Sequence, residues 1–173
     1  MTEYGFYFYK QRCIGCRACE VACQVWNGSS QTVKWRGVTS VIRGIYPDLT
    51  SVNVTLTCMH CGDAPCVRAC PRQALSKKED SGTVVVDQKI CMGCTFCLWA
   101  CPFGAPQIGI KGKIEKCNFC EDRPLGMKRA CEEICPTQAI VSGPKNEIGR
   151  AAKSNVAENL LGSGIKEIVL GFE

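Results

Sequence analysis

Histidine is almost missing from this chain: His60 is the only one among 173 residues. Nucleophile–histidine pairs are therefore absent, and neither paired carboxylates nor a glycine-rich nucleotide motif stands in for them. No substrate pocket is expected, and no catalysis by the chain on its own. Long apolar runs are also lacking. The most apolar window, residues 94–110, is broken by Pro102 and Pro106 and is too short to cross a bilayer. The opening MTEYGFYFYKQRC has no basic region and no long apolar core, so it does not read as an export signal. A cytoplasmic location is expected, with export or membrane attachment only through a partner subunit. Lys and Arg exceed Asp and Glu, giving a formal charge of +5, but no stripe of interleaved aromatic and basic residues marks a nucleic-acid surface.

Cysteine is the residue in excess, with sixteen copies. Such density marks a disulfide scaffold or a metal protein. The run CMGCTFCLWACP holds Cys91, Cys94, Cys97 and Cys101 at gaps of two, two and three residues, followed by Pro102. This is the ligand run of bacterial two-cluster ferredoxins, in which three thiolates grip one [4Fe–4S] cube and the fourth reaches a neighbouring one. The fourth Cys is expected to open a helix, with the proline in its first turn. Three further groups repeat the theme: Cys13, Cys16, Cys19 and Cys23, with Gln24 in place of proline; Cys58, Cys61, Cys66 and Cys70, before Pro71; and Cys117, Cys120, Cys131 and Cys135, before Pro136.

Sixteen thiolates match the ligand demand of four [4Fe–4S] clusters. They also reverse the charge: +5, less 16 for the thiolates, plus roughly 8 for four oxidised cores, leaves about −3. The basic residues then offset buried cluster charge. Zinc knuckles use two separated Cys pairs, not runs of three with a crossing fourth. Disulfides rarely bridge C-x2-C pairs well, and they belong to exported chains.

The expected fold class is α+β: two loop-rich ferredoxin-like modules with short helices and hairpins. Residues 58–110 form one module from groups two and three. Residues 1–26 with 111–142 form the other from groups one and four; residues 27–57 are an insertion and 143–173 a C-terminal helix and docking tail. Crossing of each fourth Cys to the sister cluster gives four ligand sets. The first is Cys13, Cys16, Cys19 and Cys135; the second Cys23, Cys117, Cys120 and Cys131; the third Cys70, Cys91, Cys94 and Cys97; the fourth Cys58, Cys61, Cys66 and Cys101.

Between the groups, YGFYFY over residues 4–9 reads as a strand whose rings wall off the first cluster, with a partner-binding role for Tyr7 or Tyr9 as the lesser alternative. The helix from Cys23 is expected to stop at Asn27-Gly28. Residues VKWRGVTSVIRG and SVNVTLTC read as strands about a turn at Gly44 and Tyr46-Pro47-Asp48. Trp35 and Arg36 there are candidates for docking a partner, against plain burial. His60 sits between two ligands, as an alternative ligand, a hydrogen-bond donor to a cluster or, preferably, a polar turn residue. Arg72–Leu75 completes a helical turn and Thr83–Val86 is a strand. Ile108 and Ile110 pair with Ile114 in a hairpin. Arg123, Lys128 and Arg129 make the wide gap of group four basic, to balance cluster charge, steer a partner or simply meet solvent. Ile148, Ala152, Val156 and Leu160 recur at four-residue steps, predicting a helix over 147–161. Residues 165–172 are a final strand or a docking arm.

The stretches YGFYFYKQRCIGCRACEVAC, CMHCGDAPCVRACP, GTVVVDQKICMGCTFCLWACPFGAPQ, KCNFCEDR and CEEICP resemble a known family over roughly residues 4–142. It is that of the four-cluster iron–sulfur subunits of molybdenum or tungsten oxidoreductases, of the dimethyl sulfoxide reductase type. The resemblance implies a wire of four [4Fe–4S] clusters joining a large molybdenum- or tungsten-pterin catalytic subunit to a further redox subunit or a ferredoxin-like donor or acceptor. It implies that the group one/four module faces the catalytic subunit and that the Cys58-containing cluster lies at the far end. Some members replace a third-group ligand by Trp and hold a three-iron cluster; this chain keeps Cys94. The polyferredoxin subunits of aldehyde oxidoreductase-type tungsten enzymes, benzoyl-CoA reductase complexes among them, fit equally, as do the iron–sulfur subunits of formate dehydrogenases and hydrogenases. A free soluble polyferredoxin is the alternative, although a free carrier needs neither the insertion nor the tail. Protein purified without oxygen is expected to carry about sixteen iron atoms with equal acid-labile sulfide; colourless, iron-free or zinc-loaded material would contradict the cluster assignment.

Overall fold

The computed structural model describes residues 2–124 and 126–162. Its strands are β1 (Tyr4–Phe8), β2 (Arg36–Arg43), β3 (Thr50–Thr57), β4 (Leu75–Lys77), β5 (Val84–Val86), β6 (Gln107–Ile108), β7 (Ile114–Glu115) and β8 (Ile140–Pro144). Its α-helices are α1 (Ala18–Asn27), α2 (Pro65–Arg68), α3 (Phe96–Ala100), α4 (Ala130–Glu133) and α5 (Lys145–Gly162). The protein is thus a small α+β fold of short elements. The strands form four separate antiparallel ribbons: β1 with β8, β2 with β3, β4 with β5 and β6 with β7.

The short helices lie on the other side of the fourth Cys from that expected. Helices α2, α3 and α4 each carry the third Cys of a group and stop at or just before Cys70, Cys101 and Cys135. The cause is the following proline. Its ring disfavours helical geometry in the residue before it, so the helix ends there. Group one supplies the control. With Gln24 after Cys23, α1 runs on through the ligand to Asn27 and ends where Gly28 adopts φ 59°. Residues Arg72–Leu75 do not continue a helix either; Gln73 sits at φ 51° and Leu75 begins β4.

The ribbons otherwise follow the alternation in the sequence. Tyr4 stands opposite Pro144 and Phe8 opposite Ile140, so the first strand closes on the strand that follows the last cysteine. Helix α5 packs against β1, with Asn155 Nδ2 donating to the Tyr7 hydroxyl at 2.9 Å. Of its four-residue stripe, Ile148 and Ala152 are half-buried while Val156 and Leu160 are largely exposed. Ile108 pairs with Ile114, whereas Ile110 lies outside the ribbon and is exposed. The expected strand or arm over 165–172 lies outside the described residues.

Cysteines make up much of the interior. Cys66, Cys91 and Cys97 pack with Ala74, Leu75, Val84 and Ile114. Cys19 and Cys131 pack with Val38 and Ile140; Cys58 and Cys117 pack with Ala105. Two carboxylates clasp the segments around these cores. Glu3 receives Lys77, and Lys145 at 2.6 Å, and these ammonium groups hold its carboxyl down to about 2. Glu20, buried on α1, accepts the Val38 N–H and pairs with Lys34 at 2.7 Å, tying the helix to β2. Burial pushes the Glu20 carboxyl up, but Lys34 and the Val38 N–H more than offset it and hold it below the usual range. Glu20→Ala leaves the Val38 N–H buried without its acceptor and is expected to cost about 1–3 kcal/mol. The check is the urea midpoint of anaerobic unfolding, which Lys34→Ala also lowers, since it leaves the buried Glu20 carboxylate without its counter-charge.

Candidate metal centres

Groups one and three use one loop conformation twice. Gly15 and Gly93 adopt φ 71° and 75°, and Arg17 and Thr95 adopt φ 60° and 67°. A left-handed residue in each two-residue gap turns the chain sharply, so successive thiols face one point. A side chain at Gly93 would put its Cβ 2.0 Å from the Gly112 carbonyl, in addition to the strain of that backbone.

The loops do not close on their own fourth Cys. Cys13, Cys16 and Cys19 line a small hollow together with Cys135, from the other end of the sequence. Cys91, Cys94 and Cys97 line another with Cys70, from group two. Cys23 stands among Cys117, Cys120 and Cys131. Cys66 stands near Cys58 and Cys101, and Cys61 packs against the same core. One placement differs from that implied by the resemblance. Cys58 lies beside Cys117, so it faces the group one/four half and not the far edge.

The sulfurs accept protein hydrogen bonds. The segments CPRQAL and CPTQAI, residues 70–75 and 135–140, repeat one turn with Gln73 and Gln138 both at φ 51°. In that turn Ala74 N–H reaches Cys70 Sγ and Ala139 N–H reaches Cys135 Sγ, each at 3.2 Å. Burial raises both thiols, but the converging backbone N–H groups, with the Thr137 hydroxyl at Cys135, leave them below the ordinary value. Phe119 N–H donates to Cys117 at 3.4 Å, Ile114 N–H to Cys91 at 3.5 Å and Asn27 Nδ2 to Cys23 at 3.6 Å. Elsewhere burial dominates: it lifts the thiol of Cys23 far up and those of Cys66 and Cys131 to about 11. Thiolates in such surroundings call for a positive counter-charge, which cluster iron supplies.

Arg36, Trp35 and His60, singled out in the sequence, and Lys116, which is not, lie among the thiols. Arg36, a candidate for docking a partner, is 3 % exposed. Its guanidinium lies over the Phe6 ring, donates from Nη1 to Thr55 and keeps a buried Nη2 with no partner. Trp35 is half-buried, with Nε1 donating to Glu115 at 3.3 Å. Lys116 is 4 % exposed and reaches the carbonyls of Val84 and Cys117 and, at 3.5 Å, Cys58 Sγ. His60 is no turn residue at the surface: it is wholly buried, and Nδ1 accepts the Val84 N–H at 3.0 Å. Burial beside Lys116 and Lys145 drives it neutral, down to about 3. Lys116 adjoins a ligand in sequence and was discoverable there. Nothing local marks Arg36 as buried. In group four, Arg123 pairs with Glu133 at 2.6 Å and stacks over Trp26, and Arg129 lies over Phe119, so these two are bound to the protein, while Lys128 is exposed.

The sixteen thiols are all free, so no disulfide framework is present. Four-thiol convergence, N–H donors aimed at sulfur and unpaired buried cations fit anionic iron–sulfur cubes. Comparison with known proteins agrees. Residues 50–145 match the model of the 4Fe-4S dicluster domain. The protein belongs to that family. It carries four [4Fe–4S] clusters and is an iron–sulfur electron-transfer subunit. Among its relatives is the B subunit of the anaerobic dimethyl sulfoxide reductase of Escherichia coli (strain K12), 40 % identical over 157 residues, covering 85 % of this chain and 76 % of the relative. The formate dehydrogenase iron-sulfur subunit of Wolinella succinogenes is 33 % identical over 187 residues, covering 94 % and 91 %. The thiosulfate reductase electron transfer subunit of Salmonella typhi is 39 % identical over 158 residues, covering 84 % and 78 %.

In this 4Fe-4S dicluster protein His60 is expected to act as a wedge between ligand loop and β5. His60→Ala removes a buried ring and orphans the Val84 N–H, and should lower stability by about 2–4 kcal/mol. Full iron content in His60→Gln checks that it is no ligand.

Proposed function

We propose that the chain is the non-catalytic electron relay of a larger oxidoreductase, between a molybdenum- or tungsten-pterin catalytic subunit and a further redox subunit or ferredoxin-like partner. One-electron transfer is the chemistry the bound clusters supply; the protein fixes their spacing, insulation and potentials. The ligand sets are Cys13, Cys16, Cys19 and Cys135; Cys23, Cys117, Cys120 and Cys131; Cys70, Cys91, Cys94 and Cys97; and Cys58, Cys61, Cys66 and Cys101. The observation that carries this is the meeting of Cys135 with group one and of Cys70 with group three in single hollows.

Two ferredoxin-like modules follow from these sets: groups one and four flank an inner pair of groups two and three. The proximity of Cys58 to Cys117 supports a series of centres that runs from the Cys13 set through the Cys23 set and the Cys58 set to the Cys70 set. The Cys70 set is then terminal. Around it Met92, Phe96 and Trp99 are exposed, and at the tip of the β2–β3 ribbon Ile45 and Tyr46 are each 85 % exposed. Apolar groups of that size in the open favour a subunit over a free carrier. Among the described residues no helix is long and apolar enough to cross a membrane. A cytoplasmic placement, with any membrane attachment through a partner, completes the proposal, and the names of the three relatives support assembly into a multi-subunit enzyme.

Cys94→Ser is expected to lose one cluster or convert it to a three-iron form, while the cluster on Cys13 persists. Electron paramagnetic resonance of the anaerobic variant reads this. Four unaltered [4Fe–4S] signals would overturn the ligand sets, and elution of the native protein as a lone monomer would overturn the subunit assignment.

A further inference from the structure

Among the described residues, two cations are buried: Arg36 and Lys116. Neither has a carboxylate within ion-pairing distance among the ion pairs of the structure. An unpaired buried charge of this kind is strongly destabilising unless something of opposite sign lies close. Each cation has the same kind of neighbour, cysteine sulfur, and each stands where two ligand sets meet. Arg36 lies among Cys19, of the first set, and Cys23, Cys117 and Cys131, of the second. Lys116 adjoins Cys117, of the second set, and its Nζ is 3.5 Å from Cys58 Sγ, of the fourth. The remaining junction, between the Cys58 and Cys70 sets, has no buried cation among the described residues.

We propose that Arg36 and Lys116 are fixed charges that raise the reduction potentials of the clusters they adjoin, the second cluster most because it lies next to both. The proposal rests on the ligand sets given above. A buried positive charge favours whichever redox state is more negative, and in a dry interior that attraction is little screened. Arg36 suits the role because its planar head stays charged under any physiological condition. Phe6 beneath the guanidinium and Thr55 at Nη1 hold it in place, leaving Nη2–H for cluster sulfur. Lys116 is fixed similarly, by the carbonyls of Val84 and Cys117. Both are positioning residues that act through the clusters. Their arrangement predicts a graded wire, with the inner centres easier to reduce than the terminal Cys70 centre.

The test is a redox titration of the purified holoprotein monitored by electron paramagnetic resonance, with iron content measured on every sample. Arg36→Met, with full iron, should lower the midpoints of two clusters and leave the other two unchanged. Arg36→Lys should return them towards the parent values. Lys116→Met should lower a different pair that shares one member with the first. If Arg36→Met loses iron, Arg36→Gln and Lys116→Met carry the same comparison. Iron-replete variants with four unmoved midpoints, or with all four lowered alike, would overturn the proposal. Cys16→Ser and Cys120→Ser identify the signals of the first and second clusters. A shift in a pair other than those two after Arg36→Met would instead overturn the ligand sets, so the two failures are distinguishable.

Discussion

A thiolate in a dry interior is a poor arrangement without positive charge beside it, and this protein gathers sixteen cysteines together. Burial in the protein alone pushes up the thiols of Cys19, Cys23, Cys58, Cys66, Cys97, Cys120 and Cys131. Iron resolves that conflict, and the protein makes a second contribution through N–H groups and cations set among the sulfurs. The short ribbons and one-turn helices would not make a core by themselves; cysteines occupy all three apolar clusters. Folding and cluster binding are therefore expected to be coupled, in the way a small metal domain folds around its ion.

The architecture follows from where each loop is closed. In both hollows lined by four cysteines, three come from one loop and one from a distant segment. The first strand must then pair with the strand after the last cysteine, as β1 and β8 do. Glu3 reinforces that closure by holding Lys77 and Lys145 together at one carboxylate. Segments far apart in sequence thus become neighbours both through the cysteines they bring together and through backbone pairing.

Much of this was legible in the residues. Cysteine spacing is a covalent constraint, so by itself it named the loops and the cofactor type. Alternating Val52, Val54 and Leu56 marked β3, and the four-residue stripe marked α5. What escaped was direction and depth. Proline at a first helical turn is favourable, which points to helices after the fourth cysteines; the opposite effect of proline, on the residue before it, prevailed. Arg36 and His60 look like surface residues by type, and a sequence window carries no record of the sulfur chemistry that surrounds them. The neighbours that make burial of the Arg36 cation tolerable include residues 80 or more positions away, beyond the reach of any local pattern.

Gln24 is the one place where the fourfold motif departs from proline. Its effect is the extra turn of α1 that carries Trp26 beneath the Arg123 guanidinium, 4.4 Å from ring centre to charge. No other ligand group has that extension. The helix that carries Cys19 and Cys23 is thereby pinned to the segment between Cys120 and Cys131, which also holds Glu133 through Arg123. One residue that is not a proline thus rivets the first cysteine group to the last, a fastening the proline-ended helices are too short to make.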